Sequence, residues 1–367
     1  MRLSICMIVK NEESVLDRCL SGASRFADEL IIVDTGSKDG TKEIARRYTS
    51  LVYDYPWHDS FCDARNFSFE KASGDYLMWL DADDVIDDEN ADRILQLKEA
   101  SFEGADAVST ICRNYSETGL TSYWFRRRIF RKSLHPIWKY DVHEAIPADP
   151  SWRNIFREDI TILHKKGPST DTSRNLRIYE RVNRDKCELD AREKCHLCGE
   201  YAVNGQFEKA CALYRAVRHE LTGTYLIEAL HWAEPAFLKL ERYEELYALI
   251  EEAEQRMPPI AKDRFFKGVC KRYLGDSKGA AELFREAIAI PDDPYTQSTV
   301  ETGYNDYYPY LRLAFIACKT GDTEEALRDL AAAGQNYPLA PEWQLIRKKI
   351  LMETVPADPC HESRISR

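Results

Sequence analysis

The stretch Tyr76-Leu-Met-Trp-Leu80, continued by Asp81-Ala-Asp83-Asp84, decides the fold of the first half of the chain. An unbroken apolar run of this length predicts a buried strand. Acidic residues follow it at once, and open α/β sheets bind ligands at the carboxyl ends of their strands. Two carboxylates one residue apart can place hard oxygens on a divalent cation. Asp81 and Asp83 are therefore candidate metal ligands, whereas we interpret Asp84, Asp87 and Asp88 as solvated or helix-capping residues.

The sequence around this strand alternates short apolar runs with amphipathic segments up to about residue 165. This alternation predicts βα units and a mainly parallel sheet. We expect strands at Leu3–Val9, Glu29–Val33 and Leu51–Tyr53, and helices at Glu13–Ala23, Lys42–Tyr48 and Asp63–Ala72.

Beyond about Ser169 the strand signals fade and the sequence becomes helical up to Leu351. Similar segments recur at a spacing that, for the first three, is close to the roughly 34 residues of a tetratricopeptide unit. Each segment reads as the turn of a helical hairpin; they are Asn204–Ala210, Leu240–Leu246, Leu274–Ala280 and Thr320–Ala326. A tyrosine-rich insertion, Pro291 to Tyr310, reads either as part of a binding face or as aromatic packing.

Composition limits the class of protein. The 367 residues fit two domains, and 44% hydrophobic with 31% charged residues is typical of a globular protein. The net charge of −11 does not support nonspecific attraction to nucleic acid or to anionic lipid. No apolar stretch reaches the roughly 18 to 20 residues of a spanning helix, so we expect a cytoplasmic protein without a transmembrane segment.

The cysteines indicate reduced thiols. There are 11 of them, an odd number in a chain whose beginning reads as a strand rather than a signal peptide. Cys187, Cys195, His196 and Cys198 form a candidate zinc set, but the region reads as helix and has no second Cys-x-x-Cys pair. We favour buried helix cysteines.

Four stretches carry a resemblance to a known family. They are Ile8-Val-Lys-Asn-Glu12, Val33-Asp-Thr-Gly-Ser-Lys-Asp-Gly-Thr41, Asp63-Ala-Arg-Asn66 and Trp79-Leu-Asp-Ala-Asp83. In this order they resemble family 2 glycosyltransferases of the GT-A fold, over roughly the first 165 residues. With its helical tail the chain looks most like peptide S-glycosyltransferases of the sublancin type, which share Phe61-x-x-Ala64-Arg-Asn66, Val142-His-Glu144 and His164-Lys-Lys-Gly167.

The resemblance implies a pocket for a UDP-sugar. Asp34 would accept a hydrogen bond from the uracil imide, and Arg65 would lie near the base or the phosphates. The other implied nucleotide-sugar residues are Asn11, Glu12, Gly36, Ser37, Asp63, Asn66, Asp81 and Ala82. Alternatives remain at two places: Gly36 and Gly40 fit an ordinary βα turn, and Arg65 could pair with Asp63 on a helix surface.

The resemblance also implies a metal site and a catalytic base. Asp83, Asp81 and His164 would hold Mn²⁺ or Mg²⁺ across the two phosphates, although a lone histidine is also a common structural residue. Glu144, slightly preferred over His143, would remove the acceptor proton. The basic run Arg126–Arg131 could steady the diphosphate, but side chains on a strand alternate in direction, so we expect at least one of its first three arginines to be solvated.

These features predict an inverting, metal-dependent transferase that moves a sugar from a UDP-sugar to a Cys, Ser or Thr side chain of a peptide or protein. The alternatives are a glycosyltransferase of cell-envelope glycan or lipid assembly and a non-enzymatic repeat scaffold. A nucleotidyltransferase is disfavoured, because the loop after strand one, Lys10-Asn-Glu-Glu13, has no glycine. A homodimer through the repeat domain is a further expectation left open.

The predicted organisation is an α/β GT-A domain, Rossmann-like and mainly parallel, followed by an all-α tetratricopeptide-like domain. The boundaries are 1–168 for the catalytic domain, 169–195 for a helical linker, 196–352 for the repeats and 353–367 for a flexible tail.

Overall fold

The structure, a computed structural model, describes residues 1–147, 149–167, 171–186 and 188–354. These residues form two compact units. The first comprises 1–115, 122–236 and 294–299; the second comprises 116–121, 237–293 and the described residues from 300 onwards. The domain boundaries given above remain predictions, and residues 355–367 of the expected tail lie outside the described residues.

The first unit is built on a mixed, Rossmann-like sheet. Its strands are β1 (Leu3–Val9), β2 (Glu29–Asp34), β3 (Val52–Asp54), β4 (Tyr76–Leu80), β5 (Asp84–Val85), β6 (Ala107–Asn114), β7 (Ser122–Arg131) and β8 (Asn154–His164). The strand order is β3-β2-β1-β4-β7-β6-β8-β5. The half formed by β3, β2, β1 and β4 is parallel, whereas β7 pairs antiparallel with both β4 and β6. The predicted fold class is confirmed.

Helices cover this sheet and extend the unit. They are α1 (Leu16–Ala23), α2 (Thr41–Arg46), α3 (Phe61–Lys71), α4 (Asp88–Glu99), α5 (Arg174–Lys186), α6 (Ala191–Val203), α7 (Phe207–Val217) and α8 (Thr224–Lys239). The predicted start of the first helix at Glu13 was wrong by three residues. The Glu12 carbonyl accepts hydrogen bonds from the N–H groups of Val15 and Leu16, and this turn postpones the helix.

The two faces of the sheet carry separate cores, as alternating side chains on strands require. On one face Met7, Ile32 and Leu80 pack with Leu16 and Leu20 of α1. On the other, Cys6, Val33 and Trp79 pack with Phe69 of α3. Burial on both faces holds β1, β2 and β4 in register, so their carboxyl ends lie side by side.

The second unit is helical. It contains α9 (Tyr243–Glu254), α10 (Ala261–Tyr273), α11 (Ser277–Ala289), the short strand β9 (Val300–Glu301), α12 (Tyr308–Thr320), α13 (Thr323–Asn336) and α14 (Pro341–Thr354). The four predicted hairpin turns each lie between two consecutive helices. Asp276 and Asp322 cap α11 and α13, with their carboxylates accepting from the N–H groups of Gly279 and Glu325.

The tyrosine-rich insertion supplies core packing in the second unit. Tyr307 is fully buried, and the ring centroids of Tyr304 and Tyr308 lie 5.3 and 5.9 Å from that of Phe265. The aromatic-packing interpretation therefore accounts for these tyrosines. Among the helices that the structure describes, none has both the length and the apolar character to cross a bilayer.

Candidate active site

Asp81, Asp83, Asp84 and His164 converge at the carboxyl end of β4. Antiparallel pairing of β5 with β8 sets Asp84 opposite His164. One ligand atom of each of the four residues lies within 4.8 Å of those of the others. His164 Nδ1 is 3.3 Å from an oxygen of Asp83 and 3.3 Å from one of Asp84. The structure thus brings together the three predicted metal ligands and adds a fourth residue.

Asp84 corrects the sequence analysis, which interpreted it as solvated or capping. Its side chain is fully buried, and its Oδ2 lies 2.8 Å from Nη1 of Arg128. The same carboxylate accepts from the Asp81 N–H at 2.9 Å. The short strand β5 turns residue 84 inward, whereas Asp87 does cap α4. The sequence alone does not mark Asp84, because the burial of its partner Arg128 is seen only in the structure.

Negative charge accumulates at this cluster. Burial, with the neighbouring Asp81 and Asp84 carboxylates adding to it, raises the pKa of Asp83. Burial, followed by repulsion from Asp83 and Asp81, raises the pKa of Glu12 to about 7. Burial alone would raise the pKa of Asp81, but Arg65 and Arg128 outweigh it and hold that pKa below its usual range. Carboxylate oxygens suit Mn²⁺ or Mg²⁺, and a divalent cation would relieve this repulsion, so the acidic residues fit such an ion.

Asp34 is the last residue of β2, and its side chain is fully buried. Its Oδ1 accepts from the N–H groups of Gly36 and Ser37 at 2.9 and 2.8 Å. Its Oδ2 is buried and has no hydrogen-bond partner among the described residues. Gly36 has φ +104°, a conformation that glycine adopts without strain. The loop after β2 therefore fixes the carboxylate and leaves one of its oxygens without a partner among the described residues.

The loop after β1 forms hydrogen bonds with the loop after β2. The Asn11 N–H donates to Ser37 Oγ at 2.9 Å, and Asn11 Oδ1 accepts from the Lys38 N–H at 2.8 Å. The Glu12 N–H donates to Thr41 Oγ1 at 2.7 Å. Because β1 and β2 are parallel neighbours, these predicted donor-binding residues form one rim at the sheet edge.

Arg65 lies at the centre of the site. It is 5% exposed, and its Nε and Nη2 donate to Glu144 Oε1 at 2.6 Å and to Asp81 Oδ1 at 2.7 Å. The guanidinium also lies 4.6 Å from the ring centroid of Trp79 and 5.0 Å from that of Trp138. The alternative pairing with Asp63 is wrong, because the helix turns Arg65 inward while Asp63 is exposed.

Two other predicted residues have structural contacts. The amide of Asn66 donates to the Trp138 carbonyl at 3.0 Å and accepts from the Trp138 N–H at 2.8 Å. It therefore anchors the segment that leads to residue 144. Ala82 is 5% exposed and packs in the core beneath the acidic cluster.

His143 and Glu144 lie on a loop closed by paired hydrogen bonds between Lys139 and Ala145. Glu144 is 9% exposed and turns towards Arg65. His143 turns towards α6, where its Nε2 lies 2.8 Å from Glu200 Oε1 and its ring stacks on His196 at 4.5 Å. The two candidate bases are adjacent in sequence but have different surroundings.

The arginines of β7 also differ from expectation. Arg126, Arg127 and Arg128 are all at least partly buried, so the expectation that one is solvated was wrong. The register with β6 shifts between Val108 and Ser109 and leaves Arg128 unmatched. This irregularity breaks the alternation on which the expectation rested.

A cavity of about 220 Å³ adjoins Glu144. Its walls include aromatic rings and several basic side chains, among them Trp79, Arg126, Trp138, Arg192 and His196. Arg192 was not among the predicted site residues, and His196 was predicted only as a possible zinc ligand. No signal in the sequence marks these α6 residues as cavity-lining, because their position depends on how the helix packs.

The cysteines of α6 are buried free thiols. Burial raises the pKa of Cys198 to about 12, and its Sγ donates to the Ala210 carbonyl at 3.4 Å. One potential ligand atom of Cys195 lies within 4.8 Å of those of His196 and Glu228. Cys187, the remaining member of the candidate zinc set, lies outside the described residues.

Comparison with known proteins matches residues 4–168 to the family model described as Glycosyl transferase family 2. The chain is 30% identical over 207 residues to a TPR repeat-containing protein of Synechococcus elongatus, covering 54% of this chain and 50% of that protein. It is 32% identical over 107 residues to the lipopolysaccharide core biosynthesis glycosyltransferase LpsC of Rhizobium meliloti, covering 28% and 38%. The chain thus spans half or less of the length of these curated relatives.

Among solved structures, residues 1–349 of S. aureus TarS, crystallised with UDP-GlcNAc, match with a TM-score of 0.39 at 13% identity, covering 77% of this chain and 90% of that one. A TPR protein of Thermus thermophilus matches with a TM-score of 0.38 at 17% identity, covering 49% and 91%.

Proposed function

We propose that the family 2 glycosyltransferase domain at residues 4–168 transfers a sugar from a UDP-sugar, with a divalent metal ion and with inversion at the anomeric carbon. One observation carries the proposal: the ligand atoms of Asp81, Asp83, Asp84 and His164 lie within 4.8 Å of one another. This cluster follows β4. The loop after the neighbouring strand β1 holds Asn11 and Glu12, and the next strand, β2, ends at Asp34.

On the donor side, the unpaired Oδ2 of Asp34 would accept a hydrogen bond from the uracil N–H. A buried acceptor without a partner is unfavourable in the free protein, and a base with a matching donor removes that penalty. Asn11, Gly36 and Ser37 would form the rest of the rim around the nucleoside.

Asp81, Asp83, Asp84 and His164 would hold Mn²⁺ or Mg²⁺, which when bound neutralises charge on the diphosphate leaving group. Of these four, Asp84 is already paired with Arg128, so Asp83 and His164 are the residues best able to bind directly. Burial is the first cause of the raised pKa of Asp83, and a bound cation would offset the cost of burying its charged form.

Glu144 would act as the base. A hydroxyl or thiol of the acceptor attacks the anomeric carbon, its proton passes to a Glu144 oxygen, and the bond from that carbon to the UDP oxygen breaks with its electron pair leaving on UDP. Arg65 would position Glu144 relative to Asp81, since it donates to both. His143, held by Glu200, is the alternative base.

The proposed acceptor is a Cys, Ser or Thr side chain of a peptide or protein. Helical repeats, such as those of the second unit, commonly bind extended polypeptides on their concave surfaces. The second candidate is a saccharide of the cell envelope, which is favoured by the name of the LpsC relative.

The test of the donor reaction is UDP release from a panel of UDP-sugars with Mn²⁺, with Mg²⁺ and with EDTA. The native chain, Asp83→Ala and the exposed control Asp92→Ala are compared. Metal-dependent release that only Asp83→Ala abolishes supports the proposal, whereas no turnover or binding of any donor refutes it. Mass spectrometry of products formed from a peptide library and from core oligosaccharides then separates the two acceptor classes.

A further inference from the structure

The cavity beside Glu144 carries more positive charge than the proposed sugar transfer uses. Three arginines line it, Arg126, Arg127 and Arg192, and Glu144 is the one acidic residue among its lining residues. That carboxylate is already engaged by Arg65, which approaches it to 2.6 Å. The three arginines therefore face a space of about 220 Å³. Glu228, which is not a lining residue, interacts electrostatically with Arg126 and Arg192 but forms no hydrogen bond to either within the described residues.

Arg126 is the lining arginine with the fewest polar contacts. Within the part of the chain that the structure describes, its guanidinium makes no hydrogen bond or ion pair; it lies 5.0 Å from the ring centroid of Trp79. Burial, and then repulsion from Arg128, lowers the pKa of Arg126. Attraction to Asp81 and Glu144 does not offset this effect. A partly buried cation in that position is unfavourable unless a ligand supplies a closer counter-charge.

Arg192 reaches the cavity from α6. Its Nη2 donates to the His143 carbonyl at 2.6 Å, and its guanidinium lies 4.6 Å from the ring centroid of Tyr140. These contacts fix the group in place, yet its Nη1 is buried without a partner in the described chain. The indole N–H of Trp138, another lining residue, is likewise unpaired within the described ranges.

We infer that this cavity binds an oxyanion, a carboxylate or phosphate group carried by the substrate, with Arg126 and Arg192 as its principal ligands. Guanidinium groups bind such anions through paired, charge-assisted hydrogen bonds. The cavity has room for part of the molecule that carries the anion as well as for the anion itself. The assignment to a substrate rests on the proposed function, because Glu144, the proposed base, lines the same cavity.

The anion could belong to the acceptor or to the sugar of the donor, and the chemistry of recognition is the same. An acceptor is favoured, because the nucleophile must lie against Glu144. The experiment therefore has one part that measures anion binding alone and one that identifies its source.

Anion binding is measured on the full chain in EDTA, with inorganic phosphate as the probe and isothermal titration calorimetry as the readout. The variants are Arg126→Gln, Arg126→Lys and the control Arg46→Gln, whose residue is exposed on α2. We expect the dissociation constant for phosphate to rise at least about tenfold in Arg126→Gln, less in Arg126→Lys and not in the control. Equal binding by all four proteins, or none by the native chain, overturns the inference.

A stability measurement separates a ligand-binding arginine from a structural one. Arg126→Gln removes a cation whose burial is only partly offset by its acidic neighbours, so its melting temperature without phosphate should equal or exceed that of the native chain, and 10 mM phosphate should raise only the native value. A marked fall in the melting temperature of Arg126→Gln would contradict the inference.

Measurements of UDP release identify whether the donor or the acceptor carries the bound anion. A preference of the native chain for UDP-glucuronate over UDP-glucose that Arg126→Gln loses assigns the anion to the donor. Stimulation of UDP release by glycerol 3-phosphate but not by glycerol, lost in the same variant, assigns it to the acceptor; neither effect overturns the assignment to a substrate. Phosphate binding without turnover of any UDP-sugar would sink the proposed function alone, and turnover without phosphate binding would sink this inference alone.

Discussion

Arg65 Nε lies 2.6 Å from Glu144 Oε1, and the two side chains, 79 residues apart in sequence, are both largely buried. The other end of the same guanidinium lies 2.7 Å from Asp81. One cation on α3 therefore orients both the candidate base and a candidate metal ligand at the end of β4. The guanidinium of Arg65 also lies against the rings of Trp79 and Trp138, and these contacts restrict its movement.

Replacing Arg65 by Gln should reduce both stability and turnover. The buried Glu144 and the partly exposed Asp81 would lose their partner, and breaking a buried ion pair in this way costs about 3 to 5 kcal/mol of unfolding free energy. The displaced Glu144 should lower kcat by about 100-fold. Urea unfolding and UDP release measure the two effects, with the exposed Arg46→Gln as control. An unchanged urea midpoint would show that the ion pairs contribute nothing to the fold.

Binding of Mn²⁺ should stabilise the native chain through Asp83. An ion that binds only the folded state at about 100 times its dissociation constant adds about 2.7 kcal/mol to stability. We expect Mn²⁺ to raise the melting temperature of the native chain and of Asp92→Asn, and EDTA to reverse the rise. Asp83→Asn should show no more than a small part of it. An equal rise in Asp83→Asn would place the ion elsewhere.

Glu144→Gln should lower kcat by about 10² to 10⁴-fold, the usual contribution of a general base. The amide keeps the shape of the side chain and a hydrogen bond to Arg65, so KM for the UDP-sugar should change little. His143→Gln should lower kcat by less than about tenfold, because its ring is held by Glu200. The exposed Glu43→Gln is the control. The opposite ranking of the two variants would assign the base to His143.

Local sequence patterns predicted the parallel half of the sheet well, because each strand is an apolar run that is buried on both faces. Leu3–Val9 and Tyr76–Leu80 were predicted with the bounds that the structure has. The start of α1 was missed because a turn built on the Glu12 carbonyl precedes it. Such a turn depends on backbone geometry, which hydrophobic periodicity does not record.

Much of the candidate site depends on pairing between distant residues. The predicted cluster of Asp81, Asp83 and His164 forms because β5 pairs with β8, a long-range contact that the motif spacing alone does not show. The burial of Asp84 depends on Arg128, 44 residues away. Motif resemblance supplied the residue types, but the partners of Arg65 and the arginines around the cavity required the structure.

The stability of the second unit should fall as the pH rises, because of Asp292. Burial, and then repulsion from Asp306, raises the pKa of Asp292 from 3.8 to about 6. A carboxyl group whose pKa is higher in the folded state stabilises the fold when protonated. That contribution is fully present below pH 3.8 and is lost as pH rises through about 6.

Asp292→Asn keeps an uncharged side chain at every pH and preserves an oxygen for the Asn305 amide, which lies 3.3 Å from Asp292 Oδ1. Its melting temperature should therefore match that of the native chain near pH 4 and exceed it near pH 7.5, when each is followed by circular dichroism across this range. The exposed Asp92→Asn should show no such trend. The opposite trend, in which the native chain gains stability relative to Asp292→Asn as the pH rises from 4 to 7.5, would contradict the prediction. It would mean that the fold stabilises Asp292 as a carboxylate.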